Sequence, residues 1–329
     1  MTSRFDTQDP IEPMTVGNVV NTGFRLYTSN WKVYLRLAAL STLWATIPWL
    51  VLLPIVAFFL TTQDALNLLF LVVPAWIVLS LFCFAQYLGD ATAIARLAFN
   101  ELTNQDEPLP QTRRFTGKRK WSLLLLNLLI GLILTVLLVV LYLLAAISII
   151  AIFAAMGGTA FLLNPAPAAA VNPTLVVLSI LIILAVVLIF LVLMIWFGVR
   201  FAVADLPLAV EPRVTATDAI SRSWELTRSN VWRVFLIFTV TTIIAIPLQA
   251  VVQVAGTVIQ EGLTTIVPED SFAFIGLTTI LSTIVSLLLG IVLLPLWQSM
   301  KAVIYYDLRS RREGIDITLR DLGDRLPPT

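Results

Sequence analysis

Residues 121 to 156 read WSLLLLNLLIGLILTVLLVVLYLLAAISIIAIFAAM, a run without a charged side chain. Roughly 20 apolar residues suffice for a helix to cross about 30 Å of hydrocarbon. A soluble core helix needs far less than this stretch supplies. Backbone groups surrounded by lipid must find their hydrogen bonds within the segment, so a helix is the economical reading. At 1.5 Å per residue the run would reach about 52 Å, and tilt absorbs only part of the excess. It is therefore expected to project beyond the bilayer or to break near Gly157 and Gly158.

Five further runs extend this reading in both directions. They cover about 33–60, 66–88, 175–199, 232–254 and 274–304, with Arg200 just beyond the fourth span of the six and a helical continuation to Phe99 after the second. The 329 residues are 59% hydrophobic and 12% charged, where a soluble domain usually carries about 25% charge. Ten-residue alternating segments, the mark of a membrane barrel, are missing. The expected fold is an all-α polytopic bundle of about six spans. A single membrane domain, 16–318, lies between a polar arm, 1–15, and a polar tail, 319–329. The arm lacks the apolar core of a secretory signal, so the first span is expected to direct insertion.

Charge orients the bundle. The connections at about 61–65, 157–173 and 255–273 hold Asp64, Glu261, Glu269 and Asp270 and no Lys or Arg. All 21 basic residues lie in or beside the other connections and the termini, including Arg113, Arg114, Lys118, Arg119 and Lys120 before span three. Positive residues favour the cytoplasmic side of short loops. Both termini are therefore expected there, in a bacterial inner or internal membrane, with the basic clusters meeting anionic lipid rather than nucleic acid.

A repeat joins the two ends of the chain. VVNTGFRLYTSN at 19–30 leads into WKVYL, and AISRSWELTRSN at 219–230 leads, after Val231, into WRVFL; GKRKWSLLL at 117–125 is a weaker third copy. Each precedes an odd-numbered span. Asp90, Asp205 and Asp307 follow the even-numbered spans in YLGDAT, AVADLP and YYDLRS, which suggests three parallel helical hairpins. Val20, Phe24, Tyr27 and Trp31, and likewise Ile220, Trp224, Thr227 and Val231, fall at helical spacing. They predict short helices lying at the membrane surface or packed on the bundle rim. Asp218 and Arg222 stand at i,i+4 and are expected to pair.

Chemistry is sparse. There is no His, and Cys83 is the lone cysteine, which removes His-based triads, histidine metal sites and thiolate clusters. No phosphate-binding glycine loop precedes a helix, and no cofactor is expected. Asp90, Asp205 and Asp307 form the best polar set, with Arg311 at i,i+4 from Asp307 and with Arg96 and Arg200 near the other two in sequence. Ion handling and structural ion pairing both remain open for them. Pro48, Pro54, Pro74, Pro247 and Pro295 interrupt helices, and Gln249 and Gln253 share one face of span five. Trp31, Trp121, Trp224 and Trp232 are candidate interfacial anchors.

The segments AISRSWELTRSNVWRVF and VIYYDLRSRREGIDI, with TVGNVVNTGFRLYTSNWKVYL at the start, resemble the membrane-domain family associated with bacterial glycerophosphoryl diester phosphodiesterases. The resemblance runs from about 15 to 318 and implies a multi-helix inner-membrane module. The soluble barrel fused to some relatives, with its catalytic histidines and metal-binding acids, has no counterpart here. The expectation is a noncatalytic membrane scaffold or accessory protein in contact with membrane lipids. A membrane-protein partner or a second copy would complete it, and a transporter or lipid-handling protein is the alternative.

Overall fold

The computed structural model describes residues 14–61, 68–155, 173–268 and 271–323. Gly157, Gly158, Asp64, Glu269 and Asp270 lie outside the described residues, as do most of the arm and the end of the tail. Helices follow one another as α1 Val16–Ser29, α2 Trp31–Thr61, α3 Leu69–Leu102, α4 Leu109–Lys118 and α5 Lys120–Ala155. They continue as α6 Pro173–Phe201, α7 Asp205–Val210, α8 Ala216–Thr227, α9 Val231–Thr264 and α10 Phe272–Gly323. Among the described residues there is no strand. Six helices, α2, α3, α5, α6, α9 and α10, are long and apolar enough to cross a membrane. The chain is an integral membrane protein with an all-α, polytopic architecture.

Helices α3, α9 and α10 outrun the apolar segments that announce them. Hydropathy stops at the first charges, whereas a helix continues as long as each N–H finds the carbonyl four residues back. In α3 the continuation is buried and small: Gly89, Ala91, Ala93, Ala95 and Ala98 all lie inside the protein. Helices in lipid gain little from hydrophobic burial against one another, so close backbone approach through small residues is what packs them. Helices α2, α4, α7 and α10 accordingly lie against α3.

The chain forms two compact units. The smaller, Asn127–Phe201, holds most of α5 and all of α6. The most apolar stretch of α6 has no buried residue, so its whole circumference suits hydrocarbon. The larger unit, residues 1–126 and 202–329, contains the polar groups described below.

Within the larger unit the terminal repeat is a repeat of structure. Asn30 and Asn230 turn the chain with nearly the same backbone, φ −117° and ψ 25° against φ −127° and ψ 23°. Buried positions correspond across the corner: Val19 with Ala219, Gly23 with Ser223, Leu26 with Leu226, Tyr34 with Val234, Leu37 with Ile237, and Ser41 with Thr241. Val231 opens no gap. It takes the helix-starting place that Trp31 holds in the first copy, and Trp232 falls one position further round. Arg119 makes a similar corner between α4 and α5, at φ −101° and ψ 4°. A short helix thus precedes each odd-numbered span.

The short helices pack on the bundle rather than lying free at its surface. The buried face of α1 is Val19, Val20, Gly23 and Leu26, and that of α8 includes Ala219, Ser223 and Leu226. Phe24 and Trp31 from the expected apolar stripe are exposed. Small residues decide which face turns inward. A Cβ added at Gly23 would stand 2.5 Å from the Met300 sulfur on α10. Asp218 and Arg222 do not pair. The Asp218 carboxylate closes a capping box with Thr215, while Arg222 reaches Glu211.

Gly23→Leu is expected to destabilise the protein by about 1–3 kcal/mol through overpacking. Gly131→Leu, on α5 with nothing within 4 Å of its added Cβ, should leave thermal unfolding in detergent unchanged.

Candidate functional site

The three repeated aspartates are brought to one charged end of the bundle but not to one point. Asp90 on α3 accepts from Arg113 Nε of α4 at 3.2 Å. Asp205, the first residue of α7, accepts from Lys301 Nζ of α10 at 2.9 Å. Asp307 on α10 meets Arg233 of α9 at 3.1 Å and Arg311 one turn away at 3.1 Å. Its side chain is 2% exposed, the deepest of the three. Arg311 finds the predicted acid, Asp307, whereas Arg96 turns to Glu107. The Arg200 guanidinium lies over the Trp196 ring, 4.8 Å from its centre.

These pairs tie the hairpins together. Asp90 links α3 to the helix that enters the second hairpin, and Asp205 links the exit of the second to α10. Asp307 joins α9 to α10, and both of its arginines also donate to the Met14 carbonyl, anchoring the chain just before α1. A buried charge deprived of its partner costs several kcal/mol. Each pair therefore constrains the approach of two elements.

A second polar cluster escaped the sequence reading. Arg119 donates from Nη1 to the carbonyls of Leu208 and Glu211, and from Nη2 to those of Pro212 and Val214. It thereby holds the whole link from α7 to α8. Arg96 donates to both oxygens of Glu107 and to the Ala209 carbonyl. The Phe115 ring lies 3.8 Å from the Arg96 guanidinium and 5.5 Å from that of Arg119, so one aromatic ring serves two cations. Burial, followed by the like charge of Arg96, pulls the Arg119 pKa below its ordinary value. Glu211 accepts from Arg222 and Tyr305, each at 3.0 Å, with Arg309 3.9 Å away. In sequence, Arg119 belongs to a basic cluster that topology alone explains. Only its position at a helix corner, where a side chain faces an incoming loop, distinguishes it.

Glu101 accepts from Ser29, Asn30 and Tyr34, so the first Ser-Asn corner is bound to the end of α3. Among the described residues no acid meets the second corner, where Asn230 donates to Ser229 as Asn30 does to Ser29. Trp31, Trp121 and Trp232 stand in the first turns of α2, α5 and α9, and are 49%, 53% and 76% exposed. Lys32 and Lys120 lie within 6 Å of the Trp31 and Trp121 rings. This is the arrangement of an aromatic belt with basic partners. Trp224 is half-buried on α8.

Away from the charged end the packing loosens. A crevice of about 1080 Å³ opens between α2, α3 and α10, walled by Trp49, Leu53, Phe84, Ile275 and Ile280, with Thr279 and Thr283 along one edge. A smaller cavity of about 310 Å³ lies between α9 and α10. It is lined by Gln249, Gln253, Gln260, Thr278 and Ser282. The glutamines that share a face of span five thus look onto a cavity.

Replacing Asp307 with Ala strands Arg233 and Arg311 beside each other and should cost about 3–5 kcal/mol in thermal unfolding. Arg119→Lys, which cannot fork to four carbonyls, should expose the 208–214 link to protease while leaving the spans intact.

No curated protein and no solved structure matches the chain. A family model does match, over a segment that begins in α6 and ends within α10. It takes in the second Ser-Asn corner and the YYDLRSRREG motif, while the first corner lies outside it. Residues 174–314 match the model described as the membrane domain of glycerophosphoryl diester phosphodiesterase, the family that the two quoted motifs resemble.

Proposed function

We propose that the protein is a noncatalytic membrane scaffold or accessory subunit tied to the organisation of membrane lipid. Its charged end would face the cytoplasm of a bacterial cell. One observation carries the reading: each of the three repeated aspartates serves as counter-ion to a basic side chain that joins two helices. A carboxylate held in this way fastens two helices to each other, which supports a packing role over the passage of a proton or ion. The exposed tryptophans and lysines around the same end supply lipid contact, and the apolar surface of α6 suits either lipid or a neighbouring membrane protein.

The lipid-handling alternative draws support from the crevice. Its inner end, however, is closed where Gly290 of α10 packs on Thr42 of α2. A Cβ added at Gly290 would lie 3.2 Å from the threonine methyl. A closed end fits a resident lipid better than a path across the bilayer.

Gentle extraction from native membranes, followed by mass measurement of the intact particle, tests the scaffold reading. The expected result is a fixed ratio to a second membrane protein or to a second copy of the chain. A particle that is monomeric at every detergent and polymer condition, or reconstituted ion flux abolished by Asp205→Asn without loss of folding, would overturn it.

A further inference from the structure

The crevice and the neighbouring glutamine cavity make one amphiphile-binding site, and we propose that it holds a single diacyl membrane lipid in the leaflet opposite the charged end. The proposal is independent of the scaffold reading and would stand whether or not a protein partner exists.

Depth is the first argument. Trp31 stands at the charged end of α2, and at 1.5 Å per residue Thr42 lies about 16 Å and Leu53 about 33 Å beyond it, so the crevice reaches from mid-bilayer to the far edge of about 30 Å of hydrocarbon. Gly290 abuts Thr42, so Ser282 and Thr278, further out along α10, stand where acyl chains give way to glycerol and headgroups. The crevice runs inward from this level and stops at the Gly290–Thr42 contact, within the bilayer. Its surroundings are hydrocarbon, so an acyl chain can enter from the side without leaving that phase.

Polarity is the second argument. Gln249, Gln253 and Gln260 are exposed on α9 and have no hydrogen-bond partner among the described residues. An exposed amide at the edge of hydrocarbon calls for a polar partner. The facing hydroxyls of Thr278 and Ser282 donate to carbonyls of their own helix, which leaves their oxygens to accept and the glutamine N–H groups to donate. Ester carbonyls accept such bonds. Ser282 and Ser286 line both spaces, so the apolar and polar compartments meet along one edge of α10. A molecule with a long chain and an ester head satisfies both. A free hydrocarbon satisfies only the first, and water only the second. A volume of about 1080 Å³ is at the upper end of ligand pockets, ample for a flexible chain.

The full-length protein in vesicles of phosphatidylethanolamine and phosphatidylglycerol, doped with a phosphatidylcholine carrying a mid-chain diazirine, provides the test. After illumination and peptide mapping, label should concentrate at Thr46, Leu50 and Leu287, which line the inner part of the crevice. Gly276→Trp has room to fold, since nothing lies within 4 Å of an added Cβ. It should remove that label, while Gly276→Ala keeps it. Gln249→Leu combined with Gln253→Leu should lower site labelling about tenfold, the worth of one or two hydrogen bonds. Label spread evenly over Ile180, Leu184 and the crevice would reduce the lipid to ordinary annular contact and overturn the proposal. Equal labelling by a free diazirine fatty acid would overturn the ester-binding half.

Discussion

A charge at the edge of hydrocarbon cannot be left alone, and the larger unit is organised around that constraint. Asp90, Asp205 and Asp307 each face a basic group from another helix. The Asp205–Lys301 pair joins elements 96 residues apart in sequence. Removing water from one partner of such a pair makes the other partner necessary, so the geometry of the helices is fixed where the charges are. Arg119 and Arg96 extend the same logic to backbone, by giving four and one carbonyls of α7 and the link after it a cationic donor.

The consequence is a gradient along the bilayer normal. At the charged end α3 presents alanines, Gly23 admits Met300, and tyrosines are buried with carboxylate partners. Toward the other end the ion pairs stop, large apolar side chains turn outward, and the helices no longer fill the space between them. In water such gaps would be a defect. In a bilayer they are places where lipid completes the packing, which is why the hydroxyls and glutamines on α9 and α10 matter.

Much of the fold was legible in the sequence because membrane helices announce themselves by uninterrupted apolarity. The six spans, and the hairpin repeat built on Ser29-Asn30 and Ser229-Asn230, could be read directly. Helix ends were less visible: the continuation of α3 to Phe99 was legible, whereas α9 runs on to Thr264 and α10 past Ile304 through polar residues that hydropathy does not register. The aspartates were recognisable as a set, yet their partners were not. Arg113 and Lys301 lie far from Asp90 and Asp205 in sequence, and only Arg311, at i,i+4, carried a local signal. Arg119 was hidden for a different reason: charge counting treats every residue of a basic cluster alike, whereas one of them reaches into a loop. The helical spacing announced α1 itself, but which residues pack inward was set by the space for close approach at Gly23.

The claim that paired charges hold the hairpins together is tested most directly by a mutant cycle on Asp205 and Lys301. Thermal unfolding would be measured for Asp205→Lys, Lys301→Asp and the double exchange. The account predicts that each single reversal is strongly destabilising and that the double exchange restores most of the loss. Single effects that simply add in the double variant would contradict it.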